Sequence, residues 1–129
     1  MIIRNGVDII DIRRIRKVIK KYGYRFKKRC FHNSEIDRSE SMLNAVESYA
    51  KRYAAKEACA KALGTGLARG VFWKDIEVKN NKFGKPVIIL HNRALNYLKK
   101  FNNNRKCSIE TSLSDEINYA IANVIIYGN

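Results

Sequence analysis

The stretch Arg52-Tyr53-Ala54-Ala55-Lys56-Glu57-Ala58-Cys59-Ala60-Lys61-Ala62-Leu63-Gly64-Thr65-Gly66 reads as a helix that sets a carboxylate where an apolar residue is expected. At about 100° per residue, Glu57 falls in the middle of the stripe formed by Val46, Ala50, Tyr53, Ala54 and Ala60. Glu47, Lys51, Arg52 and Lys56 fall on other sides and read as solvent-facing. A carboxylate on the apolar stripe needs a partner, because taking a charge out of water is costly. Lys61 stands one turn on, so an internal Glu57–Lys61 ion pair is one reading and a functional site is the other. Gly64-Thr65-Gly66 then ends the helix and opens a loop.

A second carboxylate favours the functional site. The β-branched run from Ile2 through Ile10 reads as a strand, with Val7 and Ile9 on one face and Asp8 and Ile10 on the other. Asp8 thus sits among apolar neighbours, whereas Asp11 fits a cap for the helix that follows. Two carboxylates on different core elements suit a hard divalent cation such as Mg²⁺. Spacing alone does not bring them together.

The remaining chain reads as one domain, residues 1–129, of α+β class, with mostly antiparallel strands packed against a long central helix over about Leu43–Leu63. Ile12, Ile15, Val18, Ile19 and Tyr22 repeat at helical spacing. Ser34 is the expected cap of the next helix, with Asp37 at its third position. Strands are expected over Asp75–Lys79, Val87–Leu90, Cys107–Leu113 and Tyr119–Tyr127. Asn92 is the expected cap of a short helix carrying Ala94, Leu95 and Leu98, and Ser114-Asp115-Glu116 is the expected turn of the last strand pair.

Composition narrows the partners. Net charge is +14, and residues 1–30 carry eleven Lys/Arg against two Asp, which is +9 of that total. Nucleic acid, an anionic membrane and an acidic carrier protein all suit such a field. No apolar run is long enough to cross a bilayer, and the opening residues do not read as a signal peptide. Cys30, Cys59 and Cys107 lack metal-ligand spacing and suit a reducing cytoplasm. His32 and His91 have no His, Cys or Asp at metal-ligand spacing, which assigns them structural or surface roles.

Gly6-Val7-Asp8-Ile9-Ile10-Asp11-Ile12-Arg13-Arg14-Ile15, then Arg52 through Gly66, then Trp73-Lys74-Asp75-Ile76-Glu77-Val78 and Gly84-Lys85-Pro86, resemble the ordered motifs of holo-acyl-carrier-protein synthases. These are the small bacterial 4′-phosphopantetheinyl transferases, and the likeness runs from Met1 to the final strand near Tyr127. The resemblance implies that family's fold and its reaction. In that reaction the 4′-phosphopantetheine arm of coenzyme A passes to a serine of apo-acyl carrier protein, releasing adenosine 3′,5′-bisphosphate, in support of fatty acid biosynthesis. It implies that Asp8 and Glu57 hold Mg²⁺ and that Lys61 stabilises charge on the phosphate oxygens. Glu57 is the first candidate for the base that deprotonates the carrier serine. Arg52, Lys61, Gly64, Thr65, Gly66, Lys85 and Pro86 match positions that shape the coenzyme A cleft. Arg13, Arg14, Lys17, Arg25 and Lys28 fit docking of an acidic acyl carrier protein, with Asp37 a weaker candidate near the same side. A cytoplasmic homotrimer with an active site in each subunit interface is also implied, with neither nucleic acid nor membrane as partner.

One residue departs from the pattern. Many members carry a histidine where Thr111-Ser112-Leu113-Ser114-Asp115-Glu116 has Asp115. An ionised aspartate donates no hydrogen bond and repels an anionic ligand. Three resolutions stand open: Asp115 faces away, nearby Lys or Arg compensates, or the nucleotide binds differently. Two rival functions also follow. A basic nucleic-acid-binding module would use Tyr22, Tyr24 and Phe26 for stacking but leaves Asp8 and Glu57 unexplained. A non-catalytic trimeric scaffold would follow from loss of coenzyme A binding.

Overall fold

The computed structural model describes residues 1–128. The chain runs β1 (Ile2–Asp11), α1 (Ile12–Tyr22), α2 (Tyr24–Cys30), α3 (Asn33–Glu40) and α4 (Ala45–Leu63). After a single 3-10 turn at Trp73–Asp75 come β2 (Ile76–Asn80), β3 (Pro86–Leu90), α5 (Asn92–Phe101), β4 (Cys107–Asp115) and β5 (Tyr119–Gly128). A three-stranded sheet has the order β1-β5-β4 and a two-stranded sheet pairs β2 with β3. Every strand pair is antiparallel. The fold class expected from sequence is the one observed.

The long helix α4 lies across one face of the three-stranded sheet, against β1 and β5. Strand alternation selects that face. In β5, Ala120, Ala122, Val124 and Ile126 are buried, while Ile121, Ile125 and Tyr127 point outward. In β1, Gly6 and Ile10 are buried and Asp8 is half-buried, with Val7 and Ile9 exposed on the other side. Burying a Val or Ile side chain such as Val124 or Ile126 contributes roughly 1.5–3 kcal/mol. Helix and sheet come unusually close because both surfaces are small. A Cβ on Gly6 would stand 2.0 Å from the Ala58 carbonyl oxygen and 2.8 Å from the Ala62 nitrogen. Only glycine lets β1 rest directly on the α4 backbone.

Two charges on α4 correct the sequence reading. Lys56 is fully buried and Arg52 is 5% exposed, although both fall off the apolar stripe. The cause is that α4 is covered on nearly every side: α1, α3 and β2 pack where solvent was expected. Lys56 Nζ donates to Glu35 Oε1 at 2.8 Å, to the Trp73 carbonyl at 3.0 Å and to the Ile76 carbonyl at 2.5 Å. Glu35 in turn accepts from the His32 N–H at 2.9 Å and the Val78 N–H at 3.2 Å. All of these groups are satisfied, which is what a buried ion pair requires.

Other boundaries shift for local reasons. The segment Tyr24–Cys30 forms a further short helix, α2. Helix α3 starts at Asn33 with His32 as its cap, so Glu35 rather than Asp37 closes back on the cap N–H. Ser34 instead donates to Glu77 Oε2 at 2.7 Å, and Asp37 is exposed. Helix α5 is entered from His91, because the Asn92 amide donates to Asp75 Oδ1 at 3.0 Å. Ser114 and Asp115 continue β4 instead of turning. Among the described residues no helix is long and apolar enough to cross a membrane.

Candidate active site

The close approach of β1 to α4 builds the site. Gly6 seats β1 against Ala58 and Ala62, and the next inward residue along the strand is Asp8. Lys61, on the last turn of α4, donates to Asp8 Oδ1 at 3.1 Å and to the Val7 carbonyl at 3.0 Å. Glu57 lies one turn before Lys61 on the same helix, near enough to Asp8 to feel its charge. Burial pushes the Glu57 carboxyl above its ordinary value and the Asp8 charge adds to this, while Lys61 and Arg14 oppose it. Lys61 is paired with Asp8 across elements and not with Glu57 within the helix. Among the described residues, no hydrogen bond reaches the Glu57 carboxylate.

Asp8 and Glu57 therefore offer hard oxygen donors from two elements, Glu57 accepting no hydrogen bond among the described residues. That donor set fits Mg²⁺, which takes one or two carboxylates and completes its shell with water and phosphate oxygens. Lys61 keeps about half of its side-chain surface exposed, so its ammonium can reach an anionic ligand beside the carboxylates.

The glycine-rich loop ends the helix as its sequence suggests. Gly64 ends α4 in the left-handed region, with φ of 85°. The N–H groups of Gly64, Thr65 and Gly66 donate back to the Lys61 and Ala60 carbonyls at 3.0–3.2 Å. The Thr65 hydroxyl donates to the Gly66 carbonyl at 2.7 Å. All three amides cap the helix.

The expected cleft residues Arg52, Lys85 and Pro86 lie elsewhere, lining a cavity of about 590 Å³ with Arg38, Ser48 and Asn80. Arg52 is a strut there: its guanidinium donates to the Val78 carbonyl and, at 2.6 Å, to Asn80 Oδ1. Burial pulls its pKa down, with the Glu35 charge opposing. Lys85 reaches Glu110 at 2.8 Å on the rim. Asp115 also lines this cavity, where Lys51 Nζ meets its Oδ1 at 3.1 Å. A neighbouring cation thus stands against Asp115. Spacing could not have found Lys51, which is 64 residues away in sequence.

On α1, Arg13, Arg14 and Lys17 are exposed, as are Arg25 and Lys28 on α2. Arg13 is tied to the cap Asp11 at 2.7 Å, whereas Arg14 is close enough for its charge to act on Glu57. The basic face thus borders the carboxylates. His32 and His91, isolated in sequence, stand with ring centroids 5.0 Å apart.

Residues 4–122 match the 4′-phosphopantetheinyl transferase superfamily. The chain is 50% identical over 127 residues to the holo-[acyl-carrier-protein] synthase of Agrobacterium fabrum, covering 98% of this chain and 95% of that protein. It is 48% identical to the synthase of the same name from Bartonella henselae, covering 98% and 96%. Its fold matches the crystal structure of Helicobacter pylori holo-[acyl-carrier-protein] synthase in complex with coenzyme A, with a TM-score of 0.82, 32% identity and coverage of 95% and 99%. On the family match over residues 4–122 and the near-full-length identity to these synthases, the chain belongs to the holo-acyl-carrier-protein synthases of the 4′-phosphopantetheinyl transferase superfamily.

Proposed function

We propose that this chain transfers the 4′-phosphopantetheine arm of coenzyme A to a serine hydroxyl of an acidic apo-acyl carrier protein, releasing adenosine 3′,5′-bisphosphate, with Asp8, Glu57 and Lys61 as the reacting site. The observation that carries this reading is the meeting of Asp8, Glu57 and Lys61 where Gly6 lets β1 touch α4. Asp8 and Glu57 would hold Mg²⁺, which when bound neutralises pyrophosphate charge and orients it for in-line displacement. Lys61 carries a positive charge to the phosphate oxygens, where charge builds on the leaving group. Glu57, with its carboxyl raised by burial, is the first candidate to take the serine proton. Arg14 and its neighbours on α1 draw an acidic carrier to the side on which Glu57 opens.

A cytoplasmic homotrimer belongs to the same reading. Ile3, Val7, Ile9, Ile121, Ile125 and Tyr127 form an exposed apolar face on β1 and β5, opposite α4. Such a face favours cover by another chain. Arg52 and Glu57 are five residues apart on α4, so they point about 140° away from each other around the helix. The cavity beside Lys85 and Pro86 and the carboxylates thus lie on different sides of one chain, and a neighbouring subunit's cavity would complete the site. The three free cysteines suit a reducing compartment.

Intact mass spectrometry tests the reaction: apo-acyl carrier protein incubated with this chain, coenzyme A and Mg²⁺ should gain one phosphopantetheine arm, and EDTA should prevent it. No gain with a competent carrier would sink the proposal. Light scattering tests the assembly, with Ile121→Lys expected to turn trimers into monomers and to abolish transfer.

A further inference from the structure

Three elements that the reaction does not use bring a second donor set together. His32 caps α3, Glu77 is the second residue of β2 and His91 follows β3, and one ligand atom from each lies within 4.8 Å of the others. We propose that His32, Glu77 and His91 bind a zinc-class divalent metal ion, separate from the Asp8–Glu57 pair.

The donor chemistry selects the ion. Two imidazoles and one carboxylate are borderline donors that suit Zn²⁺ and its neighbours, whereas Mg²⁺ prefers oxygen alone. Three protein ligands leave a fourth position for water, as in open zinc sites. Tetrahedral coordination at about 2.0–2.1 Å sets ligand atoms about 3.3 Å apart. His91 Nε2 and Glu77 Oε1 are already 2.9 Å apart. All ligand atoms lie within 4.8 Å of one another, so no pair has to close by more than about 1.5 Å. Glu77 is buried, and both histidines are half-buried, so an ion can enter from solvent and still rest on a fixed carboxylate.

The surroundings orient the ligands as metal sites require. His32 Nε2 lies 2.5 Å from the Lys74 carbonyl. Donation there leaves the lone pair on Nδ1, the arrangement in which a ligating histidine gives its other N–H to a backbone oxygen. The Ser34 hydroxyl donates to Glu77 Oε2 at 2.7 Å, which turns Oε1 toward His91. Lys79 Nζ stands 3.6 Å from that same Oε2, not from the Oε1 that meets His91. A simple Glu77–His91 pair would need neither the second imidazole nor its tautomer-fixing carbonyl. A bound ion would staple α3 to the β2–β3 hairpin and to the start of α5.

The chain contains only two histidines, and both belong to this cluster, so the untagged wild-type protein reports on the site without mutation. EDTA-stripped protein is equilibrated with Zn²⁺ in excess Mg²⁺, passed through gel filtration and analysed for metal, and the histidine ring nitrogens are followed by NMR. One Zn²⁺ per chain is expected, with both ring spectra shifted and Co²⁺ giving a tetrahedral visible spectrum. His32→Gln or His91→Gln should lose the equivalent, Ser34→Ala should weaken it about 10- to 100-fold, and Glu57→Gln should retain it. Sub-stoichiometric zinc with unshifted ring nitrogens overturns the proposal. So does an equivalent that survives both histidine variants or disappears with Glu57→Gln.

Discussion

Neighbouring residues Lys56 and Glu57 of α4 lead into two clusters of opposite character. Lys56 is wholly buried, and its ammonium meets Glu35 and two backbone carbonyls, while Glu35 takes two backbone N–H groups. Glu57 is half-buried and accepts no hydrogen bond among the described residues; its neighbours Asp8 and Lys61 are paired with each other at 3.1 Å. The first cluster is a closed network that ties α3 and β2 to α4. The second is open, with one carboxylate raised and one ammonium exposed. Satisfied charges hold a fold, whereas charges left short of partners are the ones available to a ligand.

The largest effect expected is on the open cluster. Glu57→Gln should lower the transfer rate by on the order of 10²–10⁴ while leaving the thermal midpoint unchanged or higher, as read by mass spectrometry and calorimetry on the same sample. A midpoint loss comparable to that of a Glu35 variant would break the contrast. Next comes the closed cluster. Glu35→Gln strands Lys56 in the interior and should cost about 3–5 kcal/mol in denaturant unfolding, with the rate per folded molecule preserved. If that variant loses rate but keeps stability, the assignment of the two clusters is reversed.

A smaller effect sharpens the contrast through pH. The Glu57 carboxyl titrates above its ordinary value of 4.5 because it is buried and faces Asp8. A raised folded-state pKa means stability that is fully present below the unfolded value and lost as pH rises through the folded one. In metal-free protein, Glu57→Gln should therefore be more stable than wild type at neutral pH, and the advantage should vanish below pH 4.5. Equal stability of the two at every pH would contradict the raised carboxyl. The smallest effect belongs to Asp11, whose hydrogen bond from Arg13 lowers its pKa to about 2. Its contribution is present above the ordinary 3.8 and lost as pH falls through about 2. Asp11→Asn keeps a capping side chain and removes the charge, so only a slight drop in melting temperature at neutral pH is expected, absent at the acid end.

Much of the fold was legible because it rests on local patterns. The β5 alternation, the α1 stripe and the Gly64 stop are each set within a few residues, and the structure keeps them. The carboxylates were legible for the same reason, since Asp8 and Glu57 each break a local apolar pattern. What failed was the fate of charges on α4. Periodicity ranks the sides of a helix by polarity, and it assigned Lys56 and Arg52 to water because it cannot see that α3 and β2 arrive there. The loop reading held: Gly64-Thr65-Gly66 ends the helix as its glycines imply, and the hydrogen bonds show its amides on the cap.

The sequence by itself determined the α+β class, the central helix, the two displaced carboxylates and the family, all carried by patterns contiguous in the chain. Tertiary structure alone decided which charges meet. Asp8 reaches Lys61 because Gly6 has no side chain to hold β1 off the helix. Lys51 reaches Asp115, and His32 reaches His91, because packing brings together elements far apart in sequence. Local residue preferences act over a turn or a strand, whereas ion pairs and metal-ligand sets depend on distances that exist only after the layers have packed.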